Sequence, residues 1–169
     1  VPCYFNSAEM SAESVAKRFL QSAGSIRSNF FNEPAKHMST QIGQSMTAGL
    51  LKLKDKNLMI DDQQGLTVEQ LRVRARNWVT TQPSYIENGK AVLAVDYAQL
   101  LSYDHRNSAS SLGIVTKELR ALAKELGIVV ILLVQLNNDY KNRPDKRPIP
   151  SDIAGSSEML KDADGCIFC

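Results

Sequence analysis

Long hydrophobic runs are missing from this 169-residue sequence. The longest strictly apolar stretch, Ile128–Val134, has seven residues, against about 20 for a helix that crosses a bilayer. No basic segment leads into an apolar one near Val1, so a secretory signal is not expected. Cysteine is sparse: three residues argue for a reducing compartment such as the cytoplasm rather than a disulfide scaffold. Charge of one sign is lacking too. Twenty Lys and Arg against eighteen Asp and Glu leave +2, too little for bulk charge to imply a nucleic-acid partner. The two histidines, His37 and His105, have no second His at ligand spacing. Internal repeats and low-complexity tracts are absent. What remains, 43% hydrophobic, reads as a globular chain of one domain's length. It opens without Met and closes on the strand-like run Gly165–Cys169, which reads as the interior of a longer protein.

Five short apolar segments alternate with helical patterns. Strands are expected at Cys3–Phe5, Leu58–Ile60, Ala91–Val95, Ile128–Val134 and Cys166–Cys169. The third and fourth are rich in Val and Ile and do not alternate, a pattern that suits parallel strands buried on both faces. Ser11 can cap a helix whose Ala12, Val15, Ala16, Phe19 and Leu20 form one stripe. Thr67 and Gln70 form a capping box ahead of Val68, Leu71, Ala75, Trp78 and Val79. Leu112, Val115, Leu119, Leu122 and Leu126 make a third stripe, stopped by Gly127. A less regular helix is expected within Ala35–Leu53. Alternation of this kind implies an α/β fold with a mostly parallel sheet flanked by helices.

Two connections lack core-forming residues. Ser102–Ser111 is a polar loop between a strand and a helix. Asn137–Ser157 carries Pro144, Pro148 and Pro150 among Lys141, Arg143, Lys146 and Arg147. Loops longer than about 12–15 residues in a compact domain usually carry function or stay disordered.

In open α/β sheets, ligands bind beyond the carboxyl ends of the strands. Glu9 follows the first expected strand, Asp61 and Asp62 the second, Asp96 the third and Gln135 the fourth. Asp96 ends Ala-Val-Leu-Ala-Val-Asp, the pattern with which P-loop ATPases place a carboxylate near Mg²⁺; a strand-end Asp that caps the next turn reads equally well. Glu9 suits a group that orients or deprotonates a water, and also an ordinary acidic residue ahead of a helix. Gln135 suits a phosphate sensor or a side chain that bonds neighbouring backbone. Taken singly, the plainer reading is the better one for Glu9 and Gln135.

Taken together, the motifs resemble the C-terminal motor domain of DnaB-type replicative DNA helicases, a RecA-like hexameric group. The resemblance runs in order along nearly the whole chain. It is carried by Ser7-Ala-Glu-Met-Ser11, Leu58-Met-Ile-Asp-Asp62 with Gly65–Arg76, and Val95-Asp-Tyr-Ala-Gln-Leu-Leu101. Leu119–Leu126, Val134-Gln-Leu136, Arg143–Pro148, Ser151-Asp-Ile153 and Asp162-Ala-Asp164 continue it. It implies a RecA-like ATPase core spanning residues 1–169 as a single motor domain, cut at both ends. Glu9 would be the catalytic base, Asp96 the Walker B acid that helps hold Mg²⁺, and Gln135 the γ-phosphate sensor. ATP and Mg²⁺ are the implied cofactors. Implied partners are single-stranded DNA, five further copies in a ring, a primase and a helicase loader. Arg106, Lys146, Arg147, Gly155, Ser156 and Ser157 would contact DNA phosphates from the two polar loops, which face the ring's channel.

The departures are specific. No Gly-x-x-x-x-Gly-Lys-Ser/Thr occurs, so the phosphate-cradling loop is expected upstream of Val1 and the basic finger downstream of Cys169. Ala154-Gly155-Ser156-Ser157 stands where the family usually has Arg-Glu-Ser-Gly, which leaves backbone contacts to DNA there. The 169 residues alone are not expected to hydrolyse ATP. The alternatives are a RecA-like recombination or regulatory ATPase that binds DNA without unwinding it, and a non-catalytic domain for ring assembly and DNA contact. Cys166 and Cys169, three apart on an expected strand, would point to opposite faces and are read as buried structural residues. Arg72 and Arg76 share a helix face and Arg74 points elsewhere, which reads as a solvated surface.

Overall fold

The computed structural model describes residues 1–101, 111–153 and 156–168. Among these residues the sheet has four strands, β1 (Cys3–Ser7), β2 (Leu58–Asp61), β3 (Val92–Asp96) and β4 (Val129–Leu132), in the order β2-β1-β3-β4. All three pairings are parallel. The helices are α1 (Ala12–Gly24), α2 (Asn29–Asn32), α3 (Pro34–His37), α4 (Thr40–Lys54), α5 (Val68–Thr80), α6 (Pro83–Asn88), α7 (Ser111–Leu126) and α8 (Ser156–Asp162).

Local chemistry sets the helix ends. The Ser11 hydroxyl accepts from the Ser14 amide and so starts α1. At α5 the capping box is closed in both directions: the Gln70 amide donates to the Thr67 hydroxyl, and the Thr67 amide donates to the Gln70 side chain. Gly127 ends α7 at φ 65°, a left-handed conformation that favours glycine. The irregular helix expected within Ala35–Leu53 is two helices, α3 and α4, because Ser39 adopts an extended conformation and caps α4 by accepting from the Ile42 amide.

One face of the sheet carries the core. Val68, Leu71, Ala75 and Val79 of α5 and Val115, Leu119 and Leu122 of α7 are buried against Tyr4, Leu93 and Val95. Burial of each Leu is worth about 1.5–3 kcal/mol. Arg72 and Arg76 tie the two helices together, Arg72 to Glu118 and Arg76 to Glu125 at 2.7 Å through each of Nε and Nη2. Arg74 pairs with Asp61. These arginines are therefore interhelical and helix-to-strand links, where a solvated surface was expected.

On the other face α1 packs over β1 and β2, with Phe19 edge-on to Phe5. It crosses α4 at two glycines. A Cβ on Gly49 would lie 2.9 Å from the Gly24 amide nitrogen, and one on Gly24 would lie 2.6 Å from the Ser45 carbonyl oxygen. This pair of helices leaves the β4 end of that face bare. Val129, Ile131 and Leu133 are 59%, 51% and 43% exposed, so the expectation of burial on both faces fails for the fourth strand.

Two further expectations are corrected. Residues 165–168 form no strand. Among the described residues they have no ladder partner and no core that buries them: Ile167 is 90% exposed, and Cys166 is exposed where a buried thiol was expected, while Cys169 lies outside the described residues. The Asn137–Ser157 connection is not one open loop. Leu136 and Ile153 form an antiparallel bridge, 3-10 turns occupy Asp139–Asn142 and Pro150–Asp152, and Ser156 already begins α8. Among the described residues no helix is long and apolar enough to cross a membrane.

Candidate functional site at the carboxyl edge of the sheet

Strand order locates the site. The chain leaves β1 for β2 on one side and returns to β3 on the other, so the topology switches between β1 and β3. A crevice outside the carboxyl ends of two such strands is where open α/β sheets take ligands. Ser7, the last residue of β1, pairs with Asp96, the last of β3, and the Ala8 amide donates to the Asp96 carbonyl at 2.9 Å.

The three residues expected to share a site follow the same ends of adjacent parallel strands. Glu9 lies two residues beyond β1 and is exposed. Asp96 is half-buried at the end of β3. Gln135 lies three residues beyond β4, with its side chain exposed. The Leu133 amide donates to the Val95 carbonyl at 3.0 Å and the Ala98 amide to the Leu133 carbonyl at 2.9 Å, so the exit of β4 stays beside that of β3. The run before Gln135 is less buried than its sequence suggests, so this amide faces solvent.

Sequence reasoning missed what holds these residues. The Gln99 side chain brackets the Gln135 backbone, donating to its carbonyl at 3.2 Å and accepting from its amide at 3.4 Å. Ser7 is fully buried; its hydroxyl donates to the Met10 carbonyl at 2.8 Å and accepts from the Met10 amide at 3.2 Å. Asp62 accepts from the Ala12 amide at 2.7 Å, fifty residues away in sequence. The place of Asp62 after a strand was visible in the sequence; that its partner is the start of α1 was not.

Beside the site, Asp61 is the centre of a buried polar node. Arg74 donates to it through Nε at 2.7 Å and Nη2 at 3.0 Å, Tyr4 donates its hydroxyl, and the Gln63 amide adds a bond of 3.2 Å. Burial pushes the Asp61 carboxyl up, and the bonds from Arg74 and Tyr4 outweigh it, so the group sits below the usual carboxylate range. Burial, then Asp61, pushes the Tyr4 hydroxyl well above an ordinary phenol.

The expected DNA-contact residues are distributed unevenly. Lys146 and Arg147 are exposed at the tip of the segment closed by the Leu136–Ile153 bridge. Ser156 and Ser157 open α8 and so are helical rather than part of a loop. Arg106 and Gly155 lie outside the described residues, as does the stretch from Ser102 to Ser110.

Among the described residues no three His, Cys, Asp or Glu side chains converge as a self-sufficient metal cage. A single carboxylate at a strand end suits Mg²⁺, which keeps several waters and takes the rest of its ligands from phosphate oxygens. Asp96 fits that role. A glycine-rich phosphate cradle is not encoded in the 169 residues.

A parallel sheet flanked by helices, with polar groups gathered at a topological switch, is the architecture of RecA-like ATPase cores. Residues 1–169 match the family model of the DnaB-like helicase C terminal domain, and the chain belongs to that family. It is 35% identical over 170 residues to the replicative DNA helicase DnaB of Buchnera aphidicola subsp. Acyrthosiphon pisum, covering 99% of this chain and 36% of that protein. It is 42% identical over 132 residues to DnaB of Pasteurella multocida, covering 76% and 26%. The chain thus spans about a third of the length of the curated relatives it matches. Among solved structures it resembles an ATPase domain, with TM-score 0.87, 25% identity and coverage of 96% of this chain and 57% of that one. A DnaB-like replicative helicase, solved to show its interactions with primase, matches with TM-score 0.87 and 25% identity over 96% of this chain and 38% of that one.

Proposed function

We propose that this chain is the motor portion of an ATP-dependent replicative DNA helicase that works as a homohexameric ring on single-stranded DNA in the cytoplasm. The observation that carries the reading is the common rim: Glu9, Asp96 and Gln135 follow the same ends of three adjacent parallel strands, beside the β1–β3 switch.

In this reading Asp96 holds Mg²⁺ through one carboxylate. When bound, Mg²⁺-ATP supplies the phosphoryl group whose transfer to water drives movement. Glu9, exposed two residues past β1, orients the attacking water and takes its proton. Gln135, backed by Gln99, reads whether a terminal phosphate is present and passes that state along the segment that begins at Leu136. Lys146 and Arg147 hold phosphates of the strand without reading its bases. Arg106, Gly155, Ser156 and Ser157 join them by resemblance, the last three through backbone. A primase and a helicase loader are further partners of the ring.

Displacement of one strand of a forked duplex by the full-length protein tests the reading. ATP-dependent displacement, lost in Glu9→Gln, is expected. Hydrolysis stimulated by single strands without displacement would overturn it in favour of a DNA-bound ATPase that does not unwind.

A further inference from the structure

Glu9 is exposed, and an exposed carboxylate on a free turn samples many positions; a group that must meet one water cannot. The turn that carries it is held on three sides. Upstream, the Ala8 amide is fixed to the Asp96 carbonyl. At its base, the buried Ser7 hydroxyl spans the turn and bonds both the amide and the carbonyl of Met10. Downstream, Asp62 accepts from the Ala12 amide at 2.7 Å, at the first residue of α1, where a negative charge also suits the helix dipole.

We propose that Ser7 and Asp62 are positioning residues for Glu9. Ser7 shapes the four-residue turn from within, and Asp62 anchors the turn's exit to the end of the neighbouring strand. The carboxylate of Asp62 stands at the same sheet edge as Asp96, yet one of its oxygens is committed to a backbone amide, which assigns it to the support of Glu9 rather than to a cation. The hydrogen-bond acceptor is therefore the feature that matters in Asp62, and its charge is secondary.

The proposal rests on the reading of Glu9 as the catalytic base, and steady-state ATPase kinetics of the full-length protein separate the two. Asp62→Ala is expected to lower kcat about tenfold or more, in line with the cost of misplacing a catalytic group, with KM for ATP within about twofold. Asp62→Asn keeps an acceptor oxygen for the Ala12 amide and is expected to restore most of the lost kcat. Ser7→Ala is expected to act like Asp62→Ala, and Ser7→Thr to retain turnover. Because Ser7 is buried, the exposed Asp62 carries the test if Ser7→Ala fails to fold. The double variant Glu9→Gln with Asp62→Ala is expected to be no slower than Glu9→Gln alone, since residues that act as a unit are non-additive.

Wild-type turnover in Asp62→Ala, alongside an inactive Glu9→Gln, overturns the proposal and leaves the Glu9 reading standing. An Asp62→Asn as slow as Asp62→Ala overturns it in favour of a charge role. A raised KM at unchanged kcat overturns it in favour of nucleotide binding. Full turnover in Glu9→Gln removes the Glu9 reading and the proposal with it.

Discussion

Arg143 grips Asp152 with both terminal nitrogens of its guanidinium, at 2.6 and 2.7 Å, and also donates to the Arg147 carbonyl at 3.0 Å. Asp152 is 1% exposed and further accepts from the Ile149 amide at 2.9 Å. Hydrogen bonds from Arg143 hold the Asp152 carboxyl below the usual carboxylate range, against the pull of burial. The Arg and the Asp of two separate sequence blocks are thus partners of each other, and Lys146 and Arg147 ride on the segment they close.

Loss of that grip is expected to open the segment. Arg143→Ala should be cut by trypsin after Lys141 and Lys146 several-fold faster than the parent, because local opening governs cleavage of folded chains. Equal cleavage rates would show that the Leu136–Ile153 bridge alone holds the segment. The same grip gives a pH dependence. The folded carboxyl titrates below its unfolded value, so its contribution is complete above about pH 4. It fades as the pH falls through the lower, folded value, and protection of the Ile149 amide from hydrogen exchange should fade in step.

Lys146→Ala and Arg147→Ala are expected to weaken binding of single-stranded DNA by the full-length protein at low salt. Each lost phosphate contact should flatten the dependence of log affinity on log salt by about 0.7. An unchanged slope in both variants would remove these residues from the DNA contact.

Asp61 predicts a stability effect beside the site. Arg74→Ala leaves a buried carboxylate with fewer donors, at a cost of about 1–3 kcal/mol in urea unfolding. The Asp61 carboxyl sits below its unfolded value, so its stabilising bonds are fully present above about pH 4 and are lost as pH drops through the folded value. Asp61→Asn should therefore be less stable at neutral pH and show a flatter stability profile in acid.

The α1–α4 crossing separates two glycines of one helix. Gly49→Ala, whose Cβ would meet the Gly24 nitrogen and Leu20 Cδ1 at 2.9 Å, should cost about 1–3 kcal/mol. Gly43→Ala, with nothing within 4 Å of the new Cβ, should stabilise α4 by about 0.5–1 kcal/mol. Opposite shifts in melting temperature are the expected readout.

Elements whose information is local were legible in the sequence. Ser11, the Thr67–Gln70 box and Gly127 act within four residues of themselves, so the ends of α1, α5 and α7 were readable. The polar residues after each strand were readable as a shared edge because parallel strands put like ends together. Long-range partners were not legible. Whether Arg72 meets solvent or Glu118, forty-six residues on, depends on how two helices lie side by side. The fourth strand misled for a related reason. An apolar run shows that a face is costly to wet, and only the layout of α1 and α4 shows which faces are covered. The terminal apolar run misled because hydrophobicity without a ladder partner makes no strand.

That bare end of the sheet has a practical outcome. Val129 and Ile131 of β4, with Leu133 just after it, form an aliphatic ribbon on the bare face of the sheet, where β4 is the edge strand among the described residues. Contiguous apolar faces of this kind recruit other apolar surfaces. Purified by itself at high concentration, the 169-residue polypeptide will cling to its own kind and light up hydrophobic dyes; a charged residue at position 131 is the simplest way to keep it dispersed.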